Sequence, residues 1–176
     1  MLMRDLYSIL RITFSSRHLN SIKLVASDCD GVLTDGGLYY TEKIGEFKRF
    51  HVYDGMGFLA LQKIGIKTAI ITGESSSIID MRAHKLEVNY VIKGTTNKLQ
   101  ALEELCRFNG ITLTECAYIG DDTFDMEAIA KSGFGCAPNN ALPCVKKVAD
   151  YVTRKSGGEG AFREMAEIII ERRRLP

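Results

Sequence analysis

Long apolar runs are missing from this sequence: no stretch reaches the roughly 18 residues that a helix needs to cross a bilayer, so no membrane span is expected. The opening MLMRDLYSILRITF is only intermittently apolar. Asp5 and Arg11 interrupt it and no small-residue cleavage site precedes Ser21, so a secretory signal is not expected either. Proline is scarce, 3 residues against 16 glycines, and no tract is of low complexity, which argues against a disordered chain. A dominant charge is also lacking. Lys and Arg number 23 against 22 Asp and Glu, a net +1, so neither nucleic acid nor an anionic membrane is an expected partner. The five cysteines form no C-x-x-C pair and have no histidines at zinc spacing, which speaks against a disulfide framework and a structural metal and for a reducing cytoplasm.

What is present suits one soluble domain. At 45% hydrophobic and 26% charged, 176 residues make one sizeable core and are short for two. Residues 22–27 (IKLVAS) are a short apolar run broken by DCDGVLTDGG, the pattern of a buried strand ending in a loop. Over 38–52 aromatic and charged residues alternate around Gly45, as in a hairpin with one face in solvent. Helical spacing over 56–64 stops at Gly65, and IKTAIIT reads as a second buried strand. There follow a helix over 75–86, a strand at VNYVIK, an amphipathic helix over 98–109 closed by Gly110, and a strand at CAYIG. Then come a helix over 122–132, strands at FGCA and DYVT, and a last helix after KSGGEG. This alternation predicts an α/β fold: a three-layer, Rossmann-like, mostly parallel sheet with helices on both faces and a protruding β-hairpin, its ligand at the carboxyl ends of the strands. Residues 1–20 are expected to be a helical N-terminal arm on a domain over 21–176.

Acidic residues gather where strands should end: Asp28 and Asp30 after the first, Glu74 beside Thr72 after the second, and Asp121, Asp122 and Asp125 after CAYIG. Crowding carboxylates at one sheet edge costs several kcal/mol unless a cation neutralises them, and a hard divalent ion, Mg²⁺ first among them, suits oxygen ligands. Helix capping competes as an explanation, evenly for Asp122 alone, but does not account for Asp-x-Asp. If the backbone stays extended through Cys29, the Asp28 and Asp30 side chains share one side, about 7 Å apart at Cα. Two such carboxyls can divide labour, one ionised and attacking, the other protonating a leaving oxygen and later activating water. Gly31 allows a sharp turn after them. Cys29, with no histidine beside it, reads as a small buried residue rather than a nucleophile.

DCDGVLTD, IITGES, Lys98 within GTTNKLQAL, and YIGDDTFD stand in the order and approximate spacing of the haloacid dehalogenase-like phosphatases. The chain over residues 22–170 resembles their capless branch, which acts on phosphorylated 3-deoxy-2-keto sugar acids; the hairpin segment and SGGEGAFRE add to the likeness. The resemblance implies a Mg²⁺-dependent phosphoric monoester hydrolase with no cap domain, working through an aspartyl-phosphate in cell-surface carbohydrate synthesis. Asp28 would be the nucleophile and Asp30 the general acid and base. Thr72 and the Gly73 amide would hold phosphoryl oxygens, Lys98 would neutralise charge, and Asp121 would complete the metal site with the Asp28 carboxylate and the Asp30 carbonyl, with Asp122 and Asp125 behind them. A homotetramer is implied, in which the hairpin aromatics Tyr39, Tyr40, Phe47 and Phe50 would be covered.

The sugar end is read by weaker signals. Arg82 and Lys85, three apart on a helix, would face a substrate carboxylate with Glu74 beside them, although a solvated basic face explains them nearly as well. Tyr53, Asp54, Gly55 and Met56 fall where the family contacts substrate, and Asp54 would alternatively be a helix N-cap. Glu74 in TGES, with Arg82 and Lys85, resembles the phosphatases of nine-carbon sialic-type 9-phosphates, whereas Phe124 lacks the amide common there, so octulosonate 8-phosphate and a nine-carbon 9-phosphate both stay open as substrates. Gly157, Gly158 and Gly160 are read as a close approach to a ligand or as a flexible connector. The alternative from another class is a catalytically silent assembly module of the kind attached to sugar-nucleotide synthetases.

Overall fold

The computed structural model describes residues 19–43 and 45–174; the expected N-terminal arm lies outside the described residues except for its last two, of which Leu19 is buried in the core. Strand β1 (Leu24–Ser27) is wholly buried and pairs in parallel on both sides, with β4 (Lys67–Ile71) and β6 (Cys116–Ile119). Outside these lie β5 (Tyr90–Ile92), β7 (Phe134–Ala137) and β8 (Tyr151–Val152), giving the order β5-β4-β1-β6-β7-β8. All five ladders are parallel. A separate antiparallel hairpin joins β2 (Tyr39–Thr41) to β3 (Gly45–Phe47).

Side chains along the strands alternate between two cores. Val25, Ile70, Ile119 and Cys136 face a core shared with helices α1 (Val52–Lys63), α2 (Ser77–Lys85) and α6 (Ala161–Arg174), where Phe58 stacks on Phe162 at 4.0 Å. Leu24, Ala26, Ala69, Ile71 and Tyr118 face the other, under α3 (Lys98–Asn109), α4 (Met126–Lys131) and α5 (Pro143–Val148). The expected three-layer architecture is therefore observed, with no cap domain among the described residues. The chain builds outward from β1 through β4 to β5, then returns to build the other way through β6. Its topological switch point thus falls beside β1, where a parallel sheet opens a crevice.

Local departures from the expected elements matter for the site. Helix α1 begins at Val52, not 56, because extended His51 caps it with Nδ1 accepting from the Tyr53 amide. Asp54 consequently sits inside the first turn and caps a different helix: its buried Oδ1 accepts from the Arg163 amide, 2.9 Å away, at the start of α6. The helix expected over 122–132 is a 3-10 turn (Thr123–Asp125) followed by the short α4. Helix α5, with Pro143 at its start, was not anticipated. Nor does the backbone stay extended after Asp28. It turns at Cys29, whose carbonyl receives the amides of Val32, Leu33 and Thr34, and Cys29 is a fully buried core residue whose thiol burial pushes up.

Two of the C-terminal glycines are packed against the loop after β1 and do not form a loose connector. A Cβ on Gly157 would lie 1.9 Å from the Gly31 carbonyl oxygen, and one on Gly158 2.5 Å from the Asp35 nitrogen, so this segment packs directly on the loop after β1. Asn140 clamps the two, donating to the Gly31 carbonyl (3.0 Å) and accepting from the Gly157 amide (2.6 Å).

Burial raises the Asp54 carboxyl to about 6, and its Oδ2 is buried without a partner. A folded value above the ordinary 3.8 means that its contribution to stability is full below about pH 4 and is lost as pH rises through 6. Asp54→Ala, which leaves α6 uncapped, is expected to cost about 1–2 kcal/mol in urea denaturation. Asp54→Asn keeps the accepting oxygen and sheds the buried charge, so at pH 8 it should cost well under half of that.

Candidate active site

The carboxyl ends of β1, β4 and β6, with the N-terminus of α3, enclose a cleft of about 280 Å³. Its floor holds Asp28, Asp30, Thr72, Gly73, Lys98, Asp121 and Asp125; Glu74, Asp122, Phe124, Leu38 and Lys48 stand around them. Each expected acidic cluster is therefore delivered to one place by three adjacent strands.

At the centre is an ion pair. Lys98 Nζ lies 2.5 Å from Asp28 Oδ1 and donates also to the Ile71 carbonyl at 2.7 Å, with only 4% of its side chain exposed. Lys98 is the first residue of α3, where a cation opposes the helix dipole; Asn97 caps that helix by accepting from the Gln100 amide. The charge is there because the carboxylates are. Asp125 Oδ1 stands 4.0 Å from Lys98 Nζ and accepts the buried Tyr118 hydroxyl at 2.7 Å, while Oδ2 takes the amides of Asp121 (3.0 Å) and Asp122 (3.1 Å). These bonds fix the strand-end loop that carries Asp121.

One lysine does not balance this crowd. Burial, then Asp125, raises Asp28 to about 6 despite Lys98; burial, then Asp28, Asp125 and Asp122, raises Asp121 to about 7. Oxygens of Asp28, Asp121 and Asp125 lie within 4.8 Å of one another, and Asp121 Oδ1 is buried without a partner. This donor set fits a hard divalent cation. Asp28 and Asp121 are the available ligands, since both oxygens of Asp125 already accept hydrogen bonds. Gly31, at φ +85°, belongs to the same arrangement: any Cβ there would lie 2.0 Å from Asp121 Oδ2.

Thr72 is buried, its hydroxyl accepting from the Glu74 amide at 3.1 Å, so it faces the cleft from a fixed turn. Asp122 is spent on a cap, receiving Thr123's amide and hydroxyl. Asp30 Oδ1 accepts from Thr34 (3.1 Å) and from Lys48 Nζ (2.7 Å), a residue that sequence reasoning missed. For Lys48, burial alone would lower the ammonium, but Asp30 and Glu46 outweigh it and push it up to about 12. Nothing in its hairpin context, FKRF, separates it from the neighbouring basic residue.

Of the residues expected at the sugar end, Glu74 lines this cleft and the others lie elsewhere. Among the residues lining this cleft none of Tyr53, Asp54, Gly55, Met56, Arg82 or Lys85 appears. Arg82 donates to the His51 carbonyl at 3.1 Å and lies over the Phe50 ring at 5.4 Å, held by the hairpin root rather than by Glu74. Lys85 and His84 are exposed on α2. Tyr53 and Met56 line a second cavity with Glu159 and Arg163. Gly55 leaves room for Arg82, whose Nη2 a Cβ there would meet at 2.8 Å.

The profile of the haloacid dehalogenase-like hydrolase family matches residues 60–165. The chain belongs to that family. It is 39% identical over 153 residues to the 3-deoxy-D-manno-octulosonate 8-phosphate phosphatase of Haemophilus influenzae, covering 87% of this chain and 85% of that one. The Escherichia coli K12 phosphatase of the same name is 37% identical over 150 residues, 85% of this chain and 80% of that one. The Moraxella catarrhalis phosphatase structure, a complex with magnesium, phosphate and KDO, superposes with a TM-score of 0.89 at 43% identity over 92% of both chains. The expectations of a phosphoric monoester hydrolase and of magnesium agree with these relatives, whose naming as phosphatases speaks against the silent-module alternative.

Because burial raises Asp28 to about 6 and Asp121 to about 7, a divalent cation competes with protons for these carboxylates below those values, and affinity should rise with pH. Calorimetric titration of the protein with MgCl₂ is expected to show Kd tightening about tenfold or more between pH 6 and 8, with proton release seen in buffers of different ionisation enthalpy. An affinity flat over that range would contradict the carboxylate account.

Proposed function

We propose that this enzyme hydrolyses 3-deoxy-D-manno-octulosonate 8-phosphate to the free sugar acid and inorganic phosphate. The observation that carries the reading is the buried Lys98–Asp28 pair beside Asp121, in a chain matched over nine-tenths of its length by a phosphatase holding magnesium, phosphate and KDO. Asp28 attacks phosphorus as the bond to the sugar oxygen breaks, and Asp30 gives its proton to that oxygen. Asp30 then takes a proton from the water that attacks the aspartyl-phosphate, releasing phosphate and restoring Asp28. Lys98 offsets charge on Asp28 and the transferring group, and Thr72 with the Gly73 amide orients phosphoryl oxygens. Asp28, Asp121 and the Asp30 carbonyl would hold Mg²⁺, which when bound stabilises the negative charge that gathers on the phosphoryl oxygens.

Glu74 and Phe124 stand together at the cleft and set the choice of sugar. A phenyl ring gives a hydroxyl-rich nine-carbon tail no hydrogen bond, which favours the eight-carbon acid. Recognition of the acid end by Arg82, Lys85 and the 53–56 segment is assigned to an assembled homotetramer in the cytoplasm. Support for assembly comes from large apolar side chains left exposed on the hairpin and α1: Leu38, Tyr40, Val52 and Tyr53 are each more than 60% exposed.

Two measurements test the reading. Asp30→Asn should lower kcat on octulosonate 8-phosphate by about 10²–10⁴-fold with KM nearly unchanged, because it deletes the proton donor but not the binding surface. Wild-type kcat/KM should be higher on that ester than on a nine-carbon sialic-type 9-phosphate; the reverse order transfers the assignment to the nine-carbon acid.

A further inference from the structure

Lys48 follows β3 on the returning arm of the hairpin, and although the hairpin protrudes, only 2% of this side chain is exposed. Period-two alternation puts it on the same face as Glu46, with exposed Phe47 opposite. Its ammonium lies 2.7 Å from Asp30 Oδ1 and 3.2 Å from Glu46 Oε1, so two carboxylates already neutralise it and it is poorly suited to capture an anionic substrate itself. Its partner is more informative. Asp30 Oδ1 receives Lys48 and the Thr34 hydroxyl, whereas Asp30 Oδ2 is buried and has no partner. Both donors thus fall on one oxygen of the carboxyl and leave the other uncommitted within the cleft.

We propose that Lys48 is a positioning residue for proton transfer: with Thr34 it pins Oδ1 of Asp30, so that Oδ2 delivers the proton to the departing sugar oxygen and later receives one from water. This rests on the function proposed above. The hairpin thereby acts within its own subunit's reaction, holding the acid from a position 18 residues further along the chain. The balance is simple: the Oδ2–H bond breaks as the O–H bond of the sugar forms and the P–O bond opens, and Oδ2 is reprotonated by the attacking water.

The test separates esters by their need for that proton. A sugar alkoxide leaves badly without protonation; 4-nitrophenolate leaves without help, and kcat/KM reports the steps through loss of the leaving group for both. Lys48→Met is expected to lower kcat/KM on octulosonate 8-phosphate about 10²-fold and on 4-nitrophenyl phosphate less than about threefold. Lys48→Arg, which keeps the charged donor, should recover most of the loss. If the methionine variant does not fold, Lys48→Gln should show the same split in smaller measure. Equal losses on both esters, or no loss on either, overturn the positioning role while leaving the phosphatase reading intact. A wild-type enzyme inactive on both overturns that reading itself.

Discussion

The buried pair between Lys98 and Asp28 ties the elements of the site together. Lys98 enters from the first turn of α3, Asp28 from the end of β1, and the second acceptor of the lysine is the last carbonyl of β4, so one ammonium joins three elements. Breaking a buried pair by removing one partner costs about 3–5 kcal/mol, because the survivor stays charged in a low dielectric. Yet the pair does not neutralise its surroundings. Oxygens of Asp121 and Asp125 stand within 4.8 Å of one on Asp28, and burial first, then the neighbouring carboxylates, raises the Asp28 and Asp121 carboxyls above the ordinary range. A polypeptide maintains such a deficit of positive charge where a cation and a phosphoryl group are to be brought together.

Around this centre the chain holds the groups that must not move. Asp125 spends its two oxygens on Tyr118 and on the amides of Asp121 and Asp122, so the loop after β6 is tied from beneath. Asn140 ties the loop after β1 to the C-terminal glycines, and those glycines approach so closely that any larger residue would displace the turn at Gly31. The hairpin supplies a third restraint through Lys48. Preorganisation of this kind is what phosphoryl transfer requires, since its chemistry is mainly positioning and charge neutralisation.

Much of this was legible in the sequence, for identifiable reasons. Strand FGCA and helix 98–109 fall on their expected residues because the one is a short run buried throughout and Asn97 and Gly110 bracket the other. Asp28, Asp30, Thr72, Lys98 and Asp121 were visible because they follow strands that a parallel sheet must set side by side. Helix α1 was cut short because its cap is a histidine, which no standard capping signal would mark, and Asp54 does not cap that helix because the one it caps begins 109 residues away. Lys48 and Asn140 owe their places to tertiary contacts alone, as does Arg82, whose attachment to Phe50 and His51 depends on how the hairpin root meets α2.

The proposed reaction turns on covalent chemistry at Asp28, and the most direct measurement is to trap it. Enzyme mixed with Mg²⁺ and octulosonate 8-phosphate, quenched in acid during turnover and reduced with borohydride, converts an acyl phosphate to homoserine that peptide mass spectrometry can place. Homoserine at position 28 alone is the predicted result. Its absence during demonstrable turnover, or its appearance at Asp30 or Asp121 instead, would contradict the assignment of Asp28 as the group that receives the phosphoryl.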